Sequence, residues 1–205
     1  MYKNKEQTTN NQKRITMDCS KITGNLAMAS CRNAVAGILG EAILINFDDW
    51  KAATITESNG VISAIALAGT TKGCKFTSHE KAFEASVQMN KGTYGNSFSH
   101  QVIMRAFDRT QTLKDDINKI AHGRYVVIVI NRDRESDSTV YEAYGTENGL
   151  AASAIEYNST DGDGIAYAIT LASEDNARES EVPKSIFTNT LDATKTMVDG
   201  LVADE

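Results

Sequence analysis

A chain of 205 residues, with 41% hydrophobic and 23% charged residues, has the composition of a folded protein with room for one sizeable core. Its formal net charge of −6 argues against wrapping by nucleic acid, because that contact requires clustered lysine and arginine side chains. No apolar run approaches the roughly 20 residues that cross a bilayer. Residues 1–14 lack the apolar stretch of a secretory signal, so we expect the protein to be made and kept in a cytoplasm.

The N-terminal region carries few structural signals. Residues 1–16 are polar and have little surface to bury, so we expect them to become ordered only against a partner. Residues 17–34 show no clean period and are interpreted as a loop. Cys19, Cys31 and Cys74 are an odd number of cysteines with no close pair, which argues against a disulfide framework.

The first strands are predicted from Gly37 onwards. The two faces of the first are Ile43, Ile45 and Phe47 on one side and Ala42, Leu44 and Asn46 on the other. Asp48 and Asp49 end this strand, and Trp50 is interpreted as a partly buried anchor. Residues 57–60 read as a hairpin turn, and the β-branched residues of 61–68 predict a second strand.

The clearest alternation in the first half lies on either side of a glycine-rich loop, residues 90–96. Apolar residues alternate with polar ones at Phe83, Ala85, Val87 and Met89, and again at Phe98, His100, Val102 and Met104. The pattern predicts a long hairpin over residues 82–107 with one apolar and one largely polar face. One side of this hairpin should meet solvent or a water-filled channel.

One helix is predicted, over residues 110–122. Thr110 or Thr112 can cap it, and Gly123 follows as a stop signal. Its apolar stripe consists of Leu113, Ile117, Ile120 and Ala121.

Four short strands at regular spacing are predicted in the second half. They span residues 125–130, 140–144, 150–157 and 165–171, separated by a charged tip at 132–138 and by turns at 147–149 and 161–164. Residues 173–181 read as a charged loop. After Pro183 apolar residues recur irregularly, which suggests docking on the domain or on a neighbouring copy. We therefore divide the chain into an N-terminal arm and loop (1–34), a β domain (35–175) and a C-terminal arm (176–205).

The residues that could carry chemistry are few and scattered. His79, His100 and His122 lie far apart in the sequence and are interpreted as structural or surface histidines. Cys74 and His79 lack the second pair of ligands that a zinc site requires. Asp48 and Asp49 would point to opposite faces of a strand, so they could not act together as a carboxylate pair in general acid–base catalysis.

Two charged turns have both a structural and a functional interpretation. The segment Asp161-Gly162-Asp163-Gly164 superficially resembles a calcium loop, but Ile165 stands where the next oxygen ligand belongs. It is interpreted as a turn between strands. Residues 132–135 are either a solvated hairpin tip or a contact to a partner subunit through charge complementarity.

The sequence contains no phosphate-binding loop, nucleophile elbow, kinase signature or metalloprotease motif. We predict no catalytic, cofactor-binding or metal-binding residues and no cofactor. The pattern favours a structural or binding protein over an enzyme, and a triad assembled from scattered residues stays open as an alternative.

The order of elements in the second half resembles that of a known family. Helix 110–122 is followed by strand 124–130, a charged tip, the "Tyr-Gly … Asn-Gly-Leu" step within 140–150, and the alternating strand 165–171 before acidic residues. This layout resembles bacteriophage major tail tube proteins and the related tube proteins of contractile injection systems. The resemblance covers roughly residues 57–175.

The resemblance implies a mainly β (α+β) fold, an antiparallel β-sandwich or small barrel with one flanking helix and extended N- and C-terminal arms. Six copies would form a hexameric ring whose inner hairpins line a lumen, and stacked rings would make a tube for DNA or effectors. DNA would pass without specific binding. Other tail proteins (sheath, terminator or baseplate) would be partners, and the protein would reside in the virion tail after assembly in the host bacterial cytoplasm.

Three alternatives remain open at this stage. The chain could be a terminator, completion or hub ring protein of the same fold. It could be a β-sandwich module for a host surface or carbohydrate, with Trp50, Tyr94, Tyr141 and Tyr144 as the aromatic candidates. It could also be an enzyme with a scattered active site.

Overall fold

The structure, a computed structural model, describes residues 37–79, 81–93, 95–132, 137–159 and 166–203. These residues belong to one compact unit, residues 34–205. The predictions for the N-terminal arm and loop, for Tyr94, for most of the 132–135 tip and for the 161–164 turn therefore lie outside the described residues.

The described residues form eleven strands and three helices. The strands are β1 (Ile38–Asn46), β2 (Thr54–Ser58), β3 (Val61–Ala66), β4 (Cys74–Thr77), β5 (Phe83–Lys91), β6 (Asn96–Ala106), β7 (Arg124–Asn131), β8 (Tyr141–Tyr144), β9 (Leu150–Tyr157), β10 (Tyr167–Ala172) and β11 (Lys184–Ile186). The helices are α1 (Phe47–Ala52), α2 (Gln111–Ile120) and α3 (Leu191–Asp199), and Asp137–Thr139 form a 3₁₀ turn.

Strand β7 lies at the branch point of the sheet. Strand β1 pairs along β7 and carries β4 on its other side. Strand β8 pairs with the second half of β7, whereas β9 pairs only with its beginning. Two branches diverge from there, β8-β11-β3-β2 and β9-β10-β6-β5. The mainly β prediction is confirmed, and the sheet is not closed into a barrel.

Strands β1 and β7 are buried on both faces because a core lies on each side of them. The first core contains Leu44 and Val127 and packs against β6, β9, β10 and α2. The second contains Ile43 and Ile128 and packs against β3, β11 and α3. This double burial explains why residues 125–130 form an almost unbroken apolar run instead of an alternating one.

Several local predictions are confirmed by the structure. The turn between β2 and β3 places Asn59 at φ 52° and Gly60 at φ 75°, the left-handed pair that a two-residue hairpin requires. The long hairpin is β5–β6, with Phe83 opposite Met104 and Lys91 opposite Asn96. Helix α2 begins after Thr110, whose side-chain hydroxyl accepts the backbone N–H of Leu113 at 3.3 Å.

The expectation of a single helix is wrong for the described residues. Phe47, assigned to the first strand, begins α1, and Asp48 and Asp49 lie in the first turn of this helix, not at a strand end. Two acids there favour the helix because they face its positive end. Trp50 is fully buried in the second core instead of partly buried.

Residues 176–203, separated above as a C-terminal arm, contribute β11 and α3 to the compact unit. Strand β11 pairs in parallel with β3 and antiparallel with β8, in the interior of the sheet. Helix α3 buries Val198, and Leu201 just after it is buried in the same core, so the apolar tail docks on its own domain. Thr194 occupies the middle of the buried face, which breaks the apolar stripe in the sequence.

Candidate assembly surface

Strands β9, β10, β6 and β5 form one antiparallel layer, here called the four-stranded layer. Ile169 of β10 lies opposite Ile155 on one side and Met104 on the other, and Met104 lies opposite Phe83. Ile169 and Met104 are fully buried in the first core. One face of the layer is therefore the wall of that core.

The other face, here called the polar face, is made of small and polar residues. It comprises Glu84, Ser86, Gln88 and Asn90 of β5, Ser97, Ser99, Gln101, Ile103 and Arg105 of β6, Ala168, Thr170 and Ala172 of β10, and Ala154 and Glu156 of β9. None of these residues is buried. This arrangement confirms the predicted polar side of the hairpin.

Neutral hydrogen bonds connect the strands on the polar face. The Asn90 amide donates to Ser99 Oγ at 2.7 Å, and Ser86 Oγ donates to Gln101 Oε1 at 3.3 Å. Arg105 forms an ion pair with Glu84 at 2.7 Å, which leaves Glu156 as the one unbalanced charge among the residues of this face. A surface of this kind offers a passing polyanion little attraction.

Both edges of the four-stranded layer are open among the described residues. Strand β5 pairs only with β6 along its length. Strand β9 pairs with β7 only at Leu150 and Ala151, so residues 152–157 have no strand on their outer side. Unpaired edges of this length are templates for pairing with another chain.

His100 lies midway along the long hairpin, opposite Val87, and is buried. Its Nδ1 accepts the backbone N–H of Gly145 at 3.2 Å, so Nε2 carries the proton and donates to the Glu181 carbonyl at 2.9 Å. The ring packs edge-on against Tyr144 at 5.6 Å. Burial lowers the pKa of His100. The structural interpretation of this histidine is supported by these contacts.

Residues 173–183, here called the strap, lie against β6 of the hairpin between His100 and Phe98. The backbones of Phe98 and Glu179 exchange two hydrogen bonds of 2.8 and 3.0 Å. The buried Glu179 carboxylate accepts the N–H groups of Glu147 (2.8 Å) and Asn148 (3.0 Å), and Glu147 accepts the N–H of Ser180 at 2.8 Å. Burial raises the pKa of Glu179 despite these bonds. Residues 173–181 of the strap were predicted only as a charged loop, because sequence spacing does not indicate this reciprocal pairing.

The remaining chemical candidates do not converge on a metal site. His79 packs edge-on against Phe107 at 5.1 Å, and Cys74 is exposed on β4. Among the described residues no three or more His, Cys, Asp or Glu side chains are placed to hold a metal ion.

The structure does bring together two sets of residues that are distant in the sequence. Asp48 and Asp49 line a surface groove of about 550 Å³ with His122 and Arg124. Asp48, His122 and Arg124 are exposed, and Asp49 accepts a hydrogen bond from the Asn46 amide at 3.0 Å. Asp48, His122 and Arg124 are therefore solvated, and Asp49 is partly exposed.

The aromatic candidates for a binding module are mostly inside the protein. Trp50, Tyr141 and Tyr144 are buried in the two cores. These three side chains therefore do not form the exposed aromatic cluster that the binding-module alternative requires, because their rings pack inside the protein.

No family model, no curated protein and no solved structure matches the chain significantly. In the part of the chain that the structure describes, every helix is too short or too polar to cross a bilayer.

Proposed function

We propose that this protein is a structural virion protein whose copies form rings, six copies to a ring, that stack as a bacteriophage tail tube. The observation that carries the proposal is the four-stranded layer, which combines one polar face with two open edges. Neighbouring copies pair β5 of one with residues 152–157 of the next. The polar face then becomes the wall of a continuous lumen.

The direction of the strands suits such a ring. Strands β9, β10, β6 and β5 alternate in direction, so β5 and β9 run oppositely within one copy. Copies related by rotation about a ring axis keep their strand directions along that axis. The β5 strand of one copy therefore meets the β9 strand of the next as an antiparallel pair. An odd number of strands would force a parallel junction at every subunit boundary.

Ring closure also solves a problem of the single subunit. Within the described part of an isolated copy, the backbone donors and acceptors of both layer edges have no strand partners, and such edges promote uncontrolled aggregation. A head-to-tail contact that closes after a full turn satisfies both edges at once.

The composition of the lumen wall suits the passage of DNA. Glu84 and Arg105 neutralise each other, and the remaining side chains of the polar face are mainly hydroxyls, amides and methyl groups. A phosphate backbone finds no lysine or arginine cluster there to displace its counterions. DNA passes without specific binding, and the role depends on shape and charge and needs no catalysis or cofactor. The protein resides in the virion tail, with sheath, terminator or baseplate proteins as its partners.

Sedimentation velocity and negative-stain microscopy of the purified full chain test this proposal. We expect rings or tubes with a central lumen, in equilibrium with monomer on dilution. Tubes indicate the tail tube role, whereas rings that never stack indicate the alternative of a terminator or completion ring with the same layer. A chain that stays monomeric at every concentration and salt condition overturns the proposal.

A further inference from the structure

The large apolar side chains that the protein exposes are concentrated at the open edges. In the described residues these side chains are Val87 (38% exposed), Met89 (57%), Tyr157 (36%) and Val182 (55%). Val87 and Met89 belong to β5 and Tyr157 ends β9. Three of the four therefore lie on the two strands whose outer sides are unpaired.

These three side chains also project from the same face of the four-stranded layer. Val87 lies opposite the buried His100, and Met89 follows it two residues later on the same side of β5. Tyr157 lies opposite Tyr167, two residues from the pair of Ile155 with the buried Ile169. All of them therefore point to the core side and away from the polar face.

We propose that Val87 and Met89 of one copy pack against Ile155 and Tyr157 of the next copy, forming an apolar seam at each subunit boundary. The seam rests on the proposed function, because it requires that β5 and β9 meet. In an antiparallel pair, residues directly opposite each other share a face and their side chains touch. Side chains that are exposed in a single copy are then covered by the neighbouring copy.

Tyr157 is held in position before the neighbouring copy arrives. Its ring stacks on Tyr167 with centroids 4.8 Å apart, and the Arg109 guanidinium lies 5.3 Å from its ring centroid. A side chain fixed on two sides loses little conformational freedom on binding. The Tyr157 ring thus offers a preformed surface for the flexible Met89 side chain.

A pair of matched substitutions tests the seam. Met89→Asp places a charge in the seam, and Val182→Asp places the same charge on an equally exposed residue outside the layer. We expect Met89→Asp to raise the concentration needed for ring assembly about tenfold or more, measured by sedimentation velocity, and Val182→Asp to leave it unchanged. Circular dichroism of the monomers should match the wild type for both.

Cysteine pairs test which residues meet. In a variant with Cys19, Cys31 and Cys74 replaced by serine, we expect oxidation to give a ladder of linked copies for Val87→Cys or Met89→Cys combined with Tyr157→Cys. Gln88→Cys combined with Tyr157→Cys is the control, because Gln88 points to the polar face. This pair should give no ladder.

The outcomes separate the seam from the proposed function. Rings that tolerate Met89→Asp as well as Val182→Asp overturn the seam and leave the tube role standing. Crosslinks from Met89→Cys alone show that β5 pairs with β5 of another copy, which also overturns it. A wild-type chain that forms no ring overturns the proposed function and the seam together.

Discussion

Gly145 donates its backbone N–H to Nδ1 of His100 at 3.2 Å, although the two residues are far apart in the sequence. The other ring nitrogen of His100 donates to the Glu181 carbonyl at 2.9 Å. A neutral imidazole satisfies both bonds, whereas a protonated one would direct an N–H at an N–H. This histidine therefore joins the hairpin, the 145–149 turn and the strap only in its neutral form.

Acid should weaken the fold through His100. Burial lowers its pKa in the folded state below the usual value of 6.5, so the unfolded chain binds more protons as the pH falls below that value. The contribution of His100 to the free energy of unfolding is complete above about pH 6.5 and declines as the pH falls below it. Urea denaturation between about pH 7.5 and 5.5 measures this decline.

The variant His100→Gln provides the control for this pH dependence. A glutamine can also donate and accept a hydrogen bond, but it does not titrate. Its free energy of unfolding should change less over the same pH range than that of the wild type. Equal slopes for the two proteins would contradict the assignment. Glu179 and Glu147 also face this region, and both persist in the variant, so their titration cancels in the comparison.

The buried carboxylate of Glu179 should matter more than its position in a charged loop suggests. Glu179→Gln places an amide group against the N–H of Glu147 or Asn148, so one buried donor loses its acceptor. We expect a loss of about 1–3 kcal/mol in the free energy of unfolding.

The neighbouring exposed acid provides the comparison for Glu179. Asp175→Asn removes only an exposed ion pair with Arg178, for which we expect a change within about 1 kcal/mol. Chemical denaturation of the two variants at neutral pH measures both. Equal effects would show that the strap is held by something other than the Glu179 carboxylate.

Gly149 and Gly60 share a backbone angle but have different surroundings. Both have φ 75°, yet a Cβ at Gly149 would lie 2.9 Å from the Phe47 ring, whereas a Cβ at Gly60 would meet nothing within 4 Å. We expect Gly60→Ala to cost about 1 kcal/mol through backbone strain alone. Gly149→Ala should cost more, by about 1–3 kcal/mol, because the ring must also move. Thermal and urea denaturation measure the difference in the free energy of unfolding. Equal losses for the two variants would mean that the Phe47 ring moves aside without an energetic cost.

A positive charge added to the polar face should leave ring assembly intact but make the rings bind DNA. Gln88 lies exposed on this face, so Gln88→Lys adds one positive charge per copy to the proposed lumen without altering a buried contact. We expect rings to form as in the wild type and to bind a short DNA fragment with an affinity that falls steeply with salt. Fluorescence anisotropy of labelled DNA measures this binding.

Gln88→Glu is the matched control for the lumen charge, because it changes the same side chain in the opposite direction. Rings of this variant should bind no DNA. If Gln88→Lys rings do not bind DNA at low salt, the polar face does not line an accessible channel.

The sequence predicts the elements whose signals are local. Alternation predicts both strands of the β5–β6 hairpin, and Thr110 marks the beginning of α2. It misses α3 because the middle of its buried face is held by Thr194, whose hydroxyl donates to the Thr190 carbonyl at 2.8 Å and accepts the N–H of Thr188 at 3.0 Å. A threonine whose hydroxyl is hydrogen-bonded within its own segment can occupy a core position. A search for hydrophobic periodicity does not identify such a position as buried.

The candidate surface was predictable only in part, for a related reason. The polar face follows from alternation within each strand, which neighbouring residues reveal. The open edges follow from the order of strands in the sheet, which depends on contacts between distant segments. The exposure of Met89 and Tyr157 indicates a contact surface only once the strand order places both residues at the edges of one layer.

The position of β11 fixes a sequence of events during synthesis. Among the described strands, the β2–β3 hairpin connects to the rest of the sheet only through Lys184–Ile186, which lie between β3 and β8. A growing polypeptide can form the β2–β3 hairpin early, but the second core can close only after residues 184–186 have left the ribosome. The two parts of the second core therefore cannot be joined before this segment has been translated.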